Sequence, residues 1–409
     1  MQSKSKILSL ESLRGYMCLW VVASHLLQMS GDRLRTGPWA TLANAQYAVQ
    51  AFMILSGYVI ARVITQRPES YRNYITRRFF RIYPVFFLTT CTGVALHGMW
   101  GDLIHQVWPD FFNPSTLQML KSTWQAANEN FLGYAAAVLT MTNGVIPDKL
   151  MPGVAVAFTG VVWSLSLEIQ FYLIAPQLCK RLEPSSSNFV RFIGIVILFV
   201  TFRQMFSGMF HLVGFPHSNY IAFLPFSIQF FVIGILSFHL HQWCHQNHQT
   251  LRNVLGGKRI SLLLASLILF LLVTADQNRL LLKGHIIDVT GHWTGVFIWL
   301  LMLGWLVDED LGTRGRLHRV GDFLLNSKLP VFLGSISYSI YLWHVPVILS
   351  VQWGLNRLHL ISSWQHCLLY TTLTAVPLTL LVSCASYFSI ELPFIQIGSR
   401  LIQRKDKLS

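Results

Sequence analysis

Charged residues are scarce in this chain: only 12% of its 409 residues are Asp, Glu, Lys or Arg, whereas 53% are hydrophobic. A soluble domain carries roughly 25% charged residues, so this composition excludes an ordinary soluble globule. The apolar residues recur in runs of about 20, the length that an α-helix needs to cross a bilayer. The sequence therefore predicts an all-α polytopic membrane protein.

Other signals are missing as well. The six cysteines fall mostly inside the apolar runs, where they behave as small hydrophobic side chains and do not indicate a disulfide framework. The chain contains no G-x-S-x-G, H-E-x-x-H, Walker or G-x-G-x-x-G sequence, which excludes the commonest hydrolase, metalloprotease and nucleotide-binding signatures. The first apolar run, residues 10–29, is a full span without a small-residue cleavage site, so we expect no cleaved signal peptide.

Ten apolar runs qualify as transmembrane helices: 10–29, 44–63, 79–98, 159–179, 189–207, 221–239, 260–276, 291–307, 331–351 and 366–389. The loops on one side of this predicted membrane hold 22 Lys and Arg, against 8 on the other side. Because positively charged loops stay inside, both termini are predicted to be cytoplasmic. The net charge of +14 is then explained by cations in the loops, which set the orientation of the helices and contact anionic lipid. We therefore expect no nucleic-acid partner.

Residues 1–395 are interpreted as one transmembrane domain and residues 396–409 as a basic cytoplasmic tail. Within this domain the first apolar run carries a polar stripe. Its members fall on one side of a helix with about 3.6 residues per turn: Glu11, Arg14, His25 and Gln28. Ionisable groups inside a membrane are costly and normally face a protein interior or a wet cavity. We therefore expect the stripe to line the site where the protein does its chemistry.

A second polar patch lies at the start of the third run. Arg78 and Arg81 are three residues apart, so they share a helix face and form a fork suited to phosphate or carboxylate. The alternative is that these arginines only anchor the helix at the membrane surface.

Depth along ideal helices groups three further residues. His25, Glu168 and His344 lie at about one level in the outer half of the membrane, whereas the arginines lie near its inner face. A lone buried histidine is usually a satisfied packing group, but three such residues at one depth favour a site.

Two patterns remain open. The segment between residues 99 and 158 is rich in aromatic side chains, which suit either sugar stacking or an interfacial belt: Trp100, Trp108, Phe111, Phe112 and Trp124. The sequence HLHQWCHQNH places His241 and His245 four residues apart beside Cys244. Because this segment lies in a basic loop and lacks a carboxylate, it is a weak metal signal, and we expect no metal site.

Six segments recur in a characteristic order. They are LRGYMCLWVVASH, with Arg14 and His25 in an Arg-x10-His spacing; AFMILSGYVI; RRFFRIYP, with Arg78 and Arg81; WSLSLEIQFYL, with Glu168; ISYSIYLWHVP; and IELPF. Together they resemble the acyltransferase-3 family of integral-membrane O-acyltransferases over nearly the whole chain. Three departures are Ala51, which replaces the first aromatic residue of its segment, Ile169, where the family often has a second acid, and Leu392, where it often has a basic residue.

The resemblance implies transfer of an acyl group, most often acetyl, from acyl-CoA to a hydroxyl of a cell-envelope polysaccharide or lipid-linked sugar. It implies an enzyme of the cell inner (plasma) membrane, with acetyl-CoA as a substrate and no bound cofactor. Its expected catalytic residues are His25, as the base, and Glu168. The expected donor-binding residues are Arg14, Arg78, Arg81, Ser56 and Gly57, and further lining residues are Trp163, Tyr341 and His344. A glycan or lipid carrier or flippase is the alternative, because intramembrane charge also occurs in transporters.

Overall fold

The computed structural model describes residues 7–35, 39–184, 222–247, 294–310 and 316–406, together with positions 190, 193–194 and 197. Every long regular element in these ranges is a helix, so the all-α prediction is confirmed there. The helices are α1 (Leu8–Gln28), α2 (Ala45–Gln66), α3 (Tyr71–Ala95), α4 (His97–Gln106), α5 (Pro114–Glu129), α6 (Phe131–Leu139), α7 (Trp163–Arg181), α8 (Ile228–Gln246), α9 (Thr294–Asp310), α10 (Arg316–Asn326), α11 (Lys328–Ser335), α12 (Ser337–Arg357), α13 (Trp364–Ser386) and α14 (Leu392–Asp406), with a π-helix, Tyr387–Glu391, joining the last two. The predicted run 260–276, and all but four positions of 189–207, lie outside the described residues.

The described helices include several that are long and apolar enough to cross a membrane. Two qualify alone: α2, and the continuous rod Trp364–Arg404 formed by α13, the π-helix and α14. Two bent pairs would raise the number to four: α3 with α4, bent by 49°, and Arg319–Ser335 with α12, bent by 55°. These helices support a membrane location, whereas the count of ten spans and the cytoplasmic termini stay predictions.

Glycines permit the closest helix contacts. A Cβ on Gly334 of α11 would lie 1.8 Å from a carbonyl oxygen of α1, and a Cβ on Gly234 of α8 would lie 2.0 Å from one of α2. Gly57 of α2 faces α8 in the same way, since its Cβ would lie 2.2 Å from the carbonyl oxygen of Phe231. Small residues let helix backbones approach closely in apolar surroundings, where packing drives association. These contacts position α1 and α2, which both line the site described below.

The aromatic residues of segment 99–158 mostly pack inside the protein. Trp100, Trp108 and Phe112 are buried among α4 to α6 and their loops, and Trp124 stacks on His97 with 5.5 Å between ring centroids. Buried rings neither form an interfacial belt nor stack on a sugar. Phe111 is the exception, because it lines a polar cavity.

Helix α7 begins later than the apolar pattern predicts. The predicted span starts at residue 159, but Gly153 and Gly160 both have φ of 70° and Phe158 has φ of 63°. These left-handed conformations interrupt a helix, so the regular segment starts only at Trp163. Glu168 is consequently closer to the start of its helix than the sequence suggests.

The predicted tail boundary, between residues 395 and 396, falls inside α14. Beyond this boundary Ile402 is buried. Gly398 packs closely against Phe80 of α3: a Cβ added to Gly398 would lie 2.8 Å from the Cβ of Phe80. The described part of the tail therefore continues a packed helix.

Candidate active site

A cavity of about 300 Å³ lies between α1, α2, α3, α7, α8 and α12. We call it the arginine pocket, after the three arginines in its wall. Its polar lining consists of Glu11, Arg14, Ser56, Arg78, Arg81, Ser164, Glu168, Tyr172, Ser337, Tyr338 and Tyr341. Six helices from distant parts of the chain thus converge on one cavity, whose wall combines these polar groups with apolar side chains.

The three arginines of the pocket have different environments. Arg14 forms an ion pair with Glu11 across one turn of α1, at 3.2 Å. The Arg78 guanidinium lies over the rings of Tyr74 and Tyr172, at 5.7 and 5.6 Å, and its buried Nε has no hydrogen-bond partner among the described residues. A cation held against aromatic faces keeps its hydrogen-bond donors available for an anionic ligand.

Arg81 follows Arg78 by three residues on the same face of α3 and lines the same cavity. Arg77, the residue before Arg78, instead pairs with Glu69 at 2.8 Å and does not line the pocket. The predicted fork of Arg78 and Arg81 is thus present as geometry: two neighbouring guanidinium groups facing a cavity.

Glu168 lies in the same pocket as the arginines. Its carboxylate accepts hydrogen bonds from the hydroxyl of Tyr172, one turn further along α7, and from Ser56 Oγ at 3.4 Å. The sequence analysis grouped Glu168 with His25. In the described structure the group in contact with the His25 ring is His344, while Glu168 joins α7 to α2 in the pocket wall.

His25 and His344 form a pair between α1 and α12. His344 Nε2 lies 3.2 Å from His25 Nδ1, and the ring centroids are 4.9 Å apart. Each ring also directs Nδ1 to the carbonyl oxygen four residues earlier, Val21 for His25 at 2.9 Å and Ile340 for His344 at 3.2 Å.

The hydrogen bonds of this pair assign its protons. Carbonyl oxygens only accept hydrogen bonds, so each neutral ring carries its proton on Nδ1. The Nδ1–H of His25 is then shared between Val21 and the unprotonated Nε2 of His344. This leaves Nε2 of His25 with a free lone pair, which is the atom that a general base needs.

Tyr341 connects the histidine pair to the arginine pocket. It lines the pocket, donates to or accepts from Ser164 Oγ at 2.7 Å, and places its ring 5.9 Å from that of His344. His344 follows Tyr341 by three residues on α12, so the pair lies one helical turn beyond the pocket wall. Arg14 and His25, 11 residues apart, are separated by about 16 Å along α1.

Two predicted site residues lie elsewhere. Gly57 packs α2 against α8, where no side chain fits, and only its neighbour Ser56 faces the pocket. The close partner of Gly57 is another helix, so the donor-binding role expected of this residue stays a prediction. Trp163, at the first turn of α7, is likewise not among the pocket-lining residues.

Sequence reasoning missed Tyr172 and Tyr338. Tyr172 follows Glu168 by four residues, a spacing that places both on one helix face and could have identified it. The position of Tyr338 depends on the bend between α11 and α12, which brings its ring to the cavity and its hydroxyl to the carbonyl oxygen of Ile82, at 2.7 Å.

His241, from the weak metal motif, hydrogen-bonds the hydroxyl of Tyr58. No group of three or more His, Cys, Asp or Glu suited to a metal occurs in the described ranges.

In the described ranges, the helical architecture with apolar helices long enough to cross a membrane defines a helical membrane protein with a basic internal cavity. The family comparison is more specific: a family model described as an acyltransferase domain, that of the acyltransferase-3 family, matches residues 7–388. The chain belongs to this family, and the resemblance drawn from its motifs is confirmed. It is therefore an acyltransferase of a membrane-protein family. No curated protein matched the chain, and neither did any solved structure.

Proposed function

We propose that this acyltransferase moves an acetyl group from acetyl-CoA to a hydroxyl of a cell-envelope polysaccharide or lipid-linked sugar. We place it in the inner (plasma) membrane, with the Arg14 end of α1 toward the cytoplasm. One arrangement carries the proposal: Tyr341 in the wall of the arginine pocket lies one helical turn from His344, and His344 contacts His25, the histidine whose Nε2 carries no proton. Family membership favours this function over the carrier alternative.

The donor end of the site is assigned to the arginine pocket. Coenzyme A carries phosphate groups, and guanidinium forks bind phosphate through several charge-assisted hydrogen bonds. Arg78 and Arg81 face the cavity from one helix, while Arg14 is partly neutralised by Glu11. We therefore assign the main phosphate contacts to Arg78 and Arg81. Arg14 and Ser56 line the remaining wall.

Glu168 is assigned a positioning role at this donor end. Its hydrogen bonds with Tyr172 and Ser56 tie α7 to α2, and Tyr172 in turn supports the Arg78 guanidinium. The carboxylate thereby holds the ring against which the cation rests. This differs from the catalytic role that the family resemblance implies for Glu168.

The chemical step requires a base near the acceptor hydroxyl. Nε2 of His25 takes the hydroxyl proton as the acceptor oxygen attacks the thioester carbonyl, and the new C–O bond forms as the C–S bond breaks. The proton then passes from His25 to the departing thiolate, so the enzyme is regenerated. During this step His344 Nε2 and the Val21 carbonyl accept the hydrogen bond of the His25 Nδ1–H, which stabilises the transient imidazolium.

Transfer of label tests the assignment. Membranes that contain the protein are given acetyl-CoA labelled in the acetyl group, and acetylation of envelope glycans is measured by mass spectrometry. We expect His25→Ala to lower the rate by about 10²- to 10⁴-fold, the usual contribution of a general base. His105→Ala is the matched control, because His105 Nδ1 also contacts the carbonyl oxygen four residues earlier, at 2.7 Å, but lies outside the site. A wild-type rate for His25→Ala would refute the catalytic assignment.

A further inference from the structure

A second polar cavity, of about 280 Å³, lies at the other end of α1. We call it the outer pocket. It is lined by Ser30, Gly31, Arg33, Leu34, Asp110, Phe111, Ser362, Ser363 and Trp364. Ser30 follows Glu11 of the arginine pocket by 19 residues, which corresponds to about 28 Å along the helix. The two cavities thus lie at opposite ends of α1, and the function proposed above leaves the outer pocket unused.

The lining of the outer pocket combines two kinds of surface. Trp364 and Phe111 supply aromatic faces, while Arg33, Asp110 and the three serines supply polar groups. A sugar ring has the matching pair of surfaces, with an apolar C–H face and an edge of hydroxyl groups that both donate and accept. A few placed polar groups among aromatic side chains are typical of small-molecule sites.

The walls of the outer pocket are held by their own hydrogen bonds. The Asp32 carboxylate accepts a hydrogen bond from the backbone N–H of Asn113 at 2.8 Å and pairs with Arg35 at 3.2 Å. The backbone N–H of Asp32 donates to the carbonyl oxygen of Phe111 at 3.3 Å. On the opposite wall, Ser363 caps the start of α13 by accepting from the N–H of His366 at 3.3 Å. The cavity is therefore framed by short, tied segments.

The outer pocket also lies close to the histidine pair. Ser30 follows His25 by five residues, about 7.5 Å along α1, which is the scale of one sugar ring with its hydroxyl. Along α1, His25 thus lies between Arg14 of the arginine pocket and Ser30 of the outer pocket.

We propose that the outer pocket binds the sugar ring of the acyl acceptor, with Trp364 stacking on the ring and Asp110 hydrogen-bonding its hydroxyls. A sugar seated there lies about 7.5 Å along α1 from His25, the proposed base. This inference rests on the proposed function for its chemistry, but the binding site itself makes a separate claim. The sugar comes either from a finished polysaccharide or from a lipid-linked precursor, and both present the same ring.

Sugar binding tests the outer pocket without requiring catalysis. The full-length protein in lipid nanodiscs is titrated with the methyl glycosides of glucose, galactose, mannose, rhamnose and N-acetylglucosamine, and saturation-transfer NMR detects contact. We expect at least one glycoside to bind the wild type, and Trp364→Ala and Asp110→Asn each to abolish its signal. Trp39→Ala is the matched control, because Trp39 is an exposed tryptophan in the loop between α1 and α2 and does not line the pocket.

The outcomes separate this inference from the proposed function. A signal that survives both Trp364→Ala and Asp110→Asn, or no signal from any glycoside with the wild type, overturns the outer pocket as the sugar site. Unchanged thermal unfolding and acetyl-CoA binding show that each variant is folded. If the variants lose glycoside binding while His25→Ala still transfers label, the sugar site stands and the catalytic assignment fails.

A short labelling pulse distinguishes the two sources of the sugar. Membranes are given labelled acetyl-CoA and are then extracted with organic solvent. Early label in the extract identifies a lipid-linked sugar, whereas early label in the aqueous polysaccharide identifies a finished glycan. Either result, if lost in Trp364→Ala, supports the outer pocket. Early label that is unaffected by this variant counts against it.

Discussion

Replacing His344 by leucine tests whether the histidine pair acts as a unit. His344 is fully buried and its Nε2 accepts from His25 Nδ1 at 3.2 Å, so leucine fills a similar volume but removes the acceptor. His25 then keeps its hydrogen bond to the Val21 carbonyl, at 2.9 Å, and remains able to accept a proton. We therefore expect slower turnover with unchanged affinity for acetyl-CoA.

The size of the effect follows from the lost hydrogen bond. A hydrogen bond to a charged group contributes about 1.5–3 kcal/mol, and each 1.36 kcal/mol of barrier changes a rate about tenfold. The full range is about 10- to 150-fold in kcat. Because the Nδ1–H of His25 is shared with Val21, the loss should lie at the lower end, about 10- to 30-fold.

The assay measures initial rates of labelled acetyl transfer at varied acetyl-CoA concentration. His344→Gln is the paired variant, since its amide oxygen offers an acceptor near the position of the lost Nε2 and should recover part of the rate. A His344→Leu protein that unfolds at the wild-type temperature and keeps the wild-type kcat would refute the coupling of the two rings. A change confined to KM would refute it equally.

Two further variants probe the donor pocket and the helix packing. Arg81→Ala should weaken acetyl-CoA binding by about 10- to 150-fold, because a hydrogen bond to a charged group is lost. Arg77→Ala, outside the pocket, should leave binding unchanged. Equal effects of the two variants would contradict the phosphate assignment. Gly57→Ala should lower the free energy of unfolding by about 1–3 kcal/mol through overpacking between α2 and α8, as measured by thermal unfolding. Gly354→Ala should leave stability unchanged, because nothing lies within 4 Å of a Cβ added there. An unshifted melting temperature for Gly57→Ala would contradict the packing.

Helical periodicity predicted the parts of the site that lie on one continuous helix. The stripe of α1 and the fork of α3 depend only on spacing, and Arg14, Arg78 and Arg81 do line one cavity. His25 and His344, placed at one depth by counting residues, are indeed in contact. In α1 the counted segment stays regular up to His25, so the rise of about 1.5 Å per residue holds there. The run counted for His344 is bent by 55° between α11 and α12, so for His344 the depth is matched in spite of a break in the helix.

Glu168 shows why the same arithmetic fails elsewhere. The apolar residues before it were counted as helix, but the left-handed turns at Gly153, Phe158 and Gly160 end that regularity before Trp163. Four miscounted residues correspond to about 6 Å of depth. Gly57 could not be interpreted from sequence for another reason. Close approach of a ligand and close packing of a helix both require glycine, so the residue type does not distinguish the two roles.

The order in which the arginine pocket is assembled has a consequence for biosynthesis. Its wall is built from α1, α2, α3, α7 and α8, but it closes only with Ser337, Tyr338 and Tyr341 at the start of α12. Large proteins fold progressively as the chain is made. A nascent chain that carries all three arginines therefore still has an open, basic cleft. Donor binding must wait until more than three-quarters of the polypeptide has been synthesised and α12 has docked.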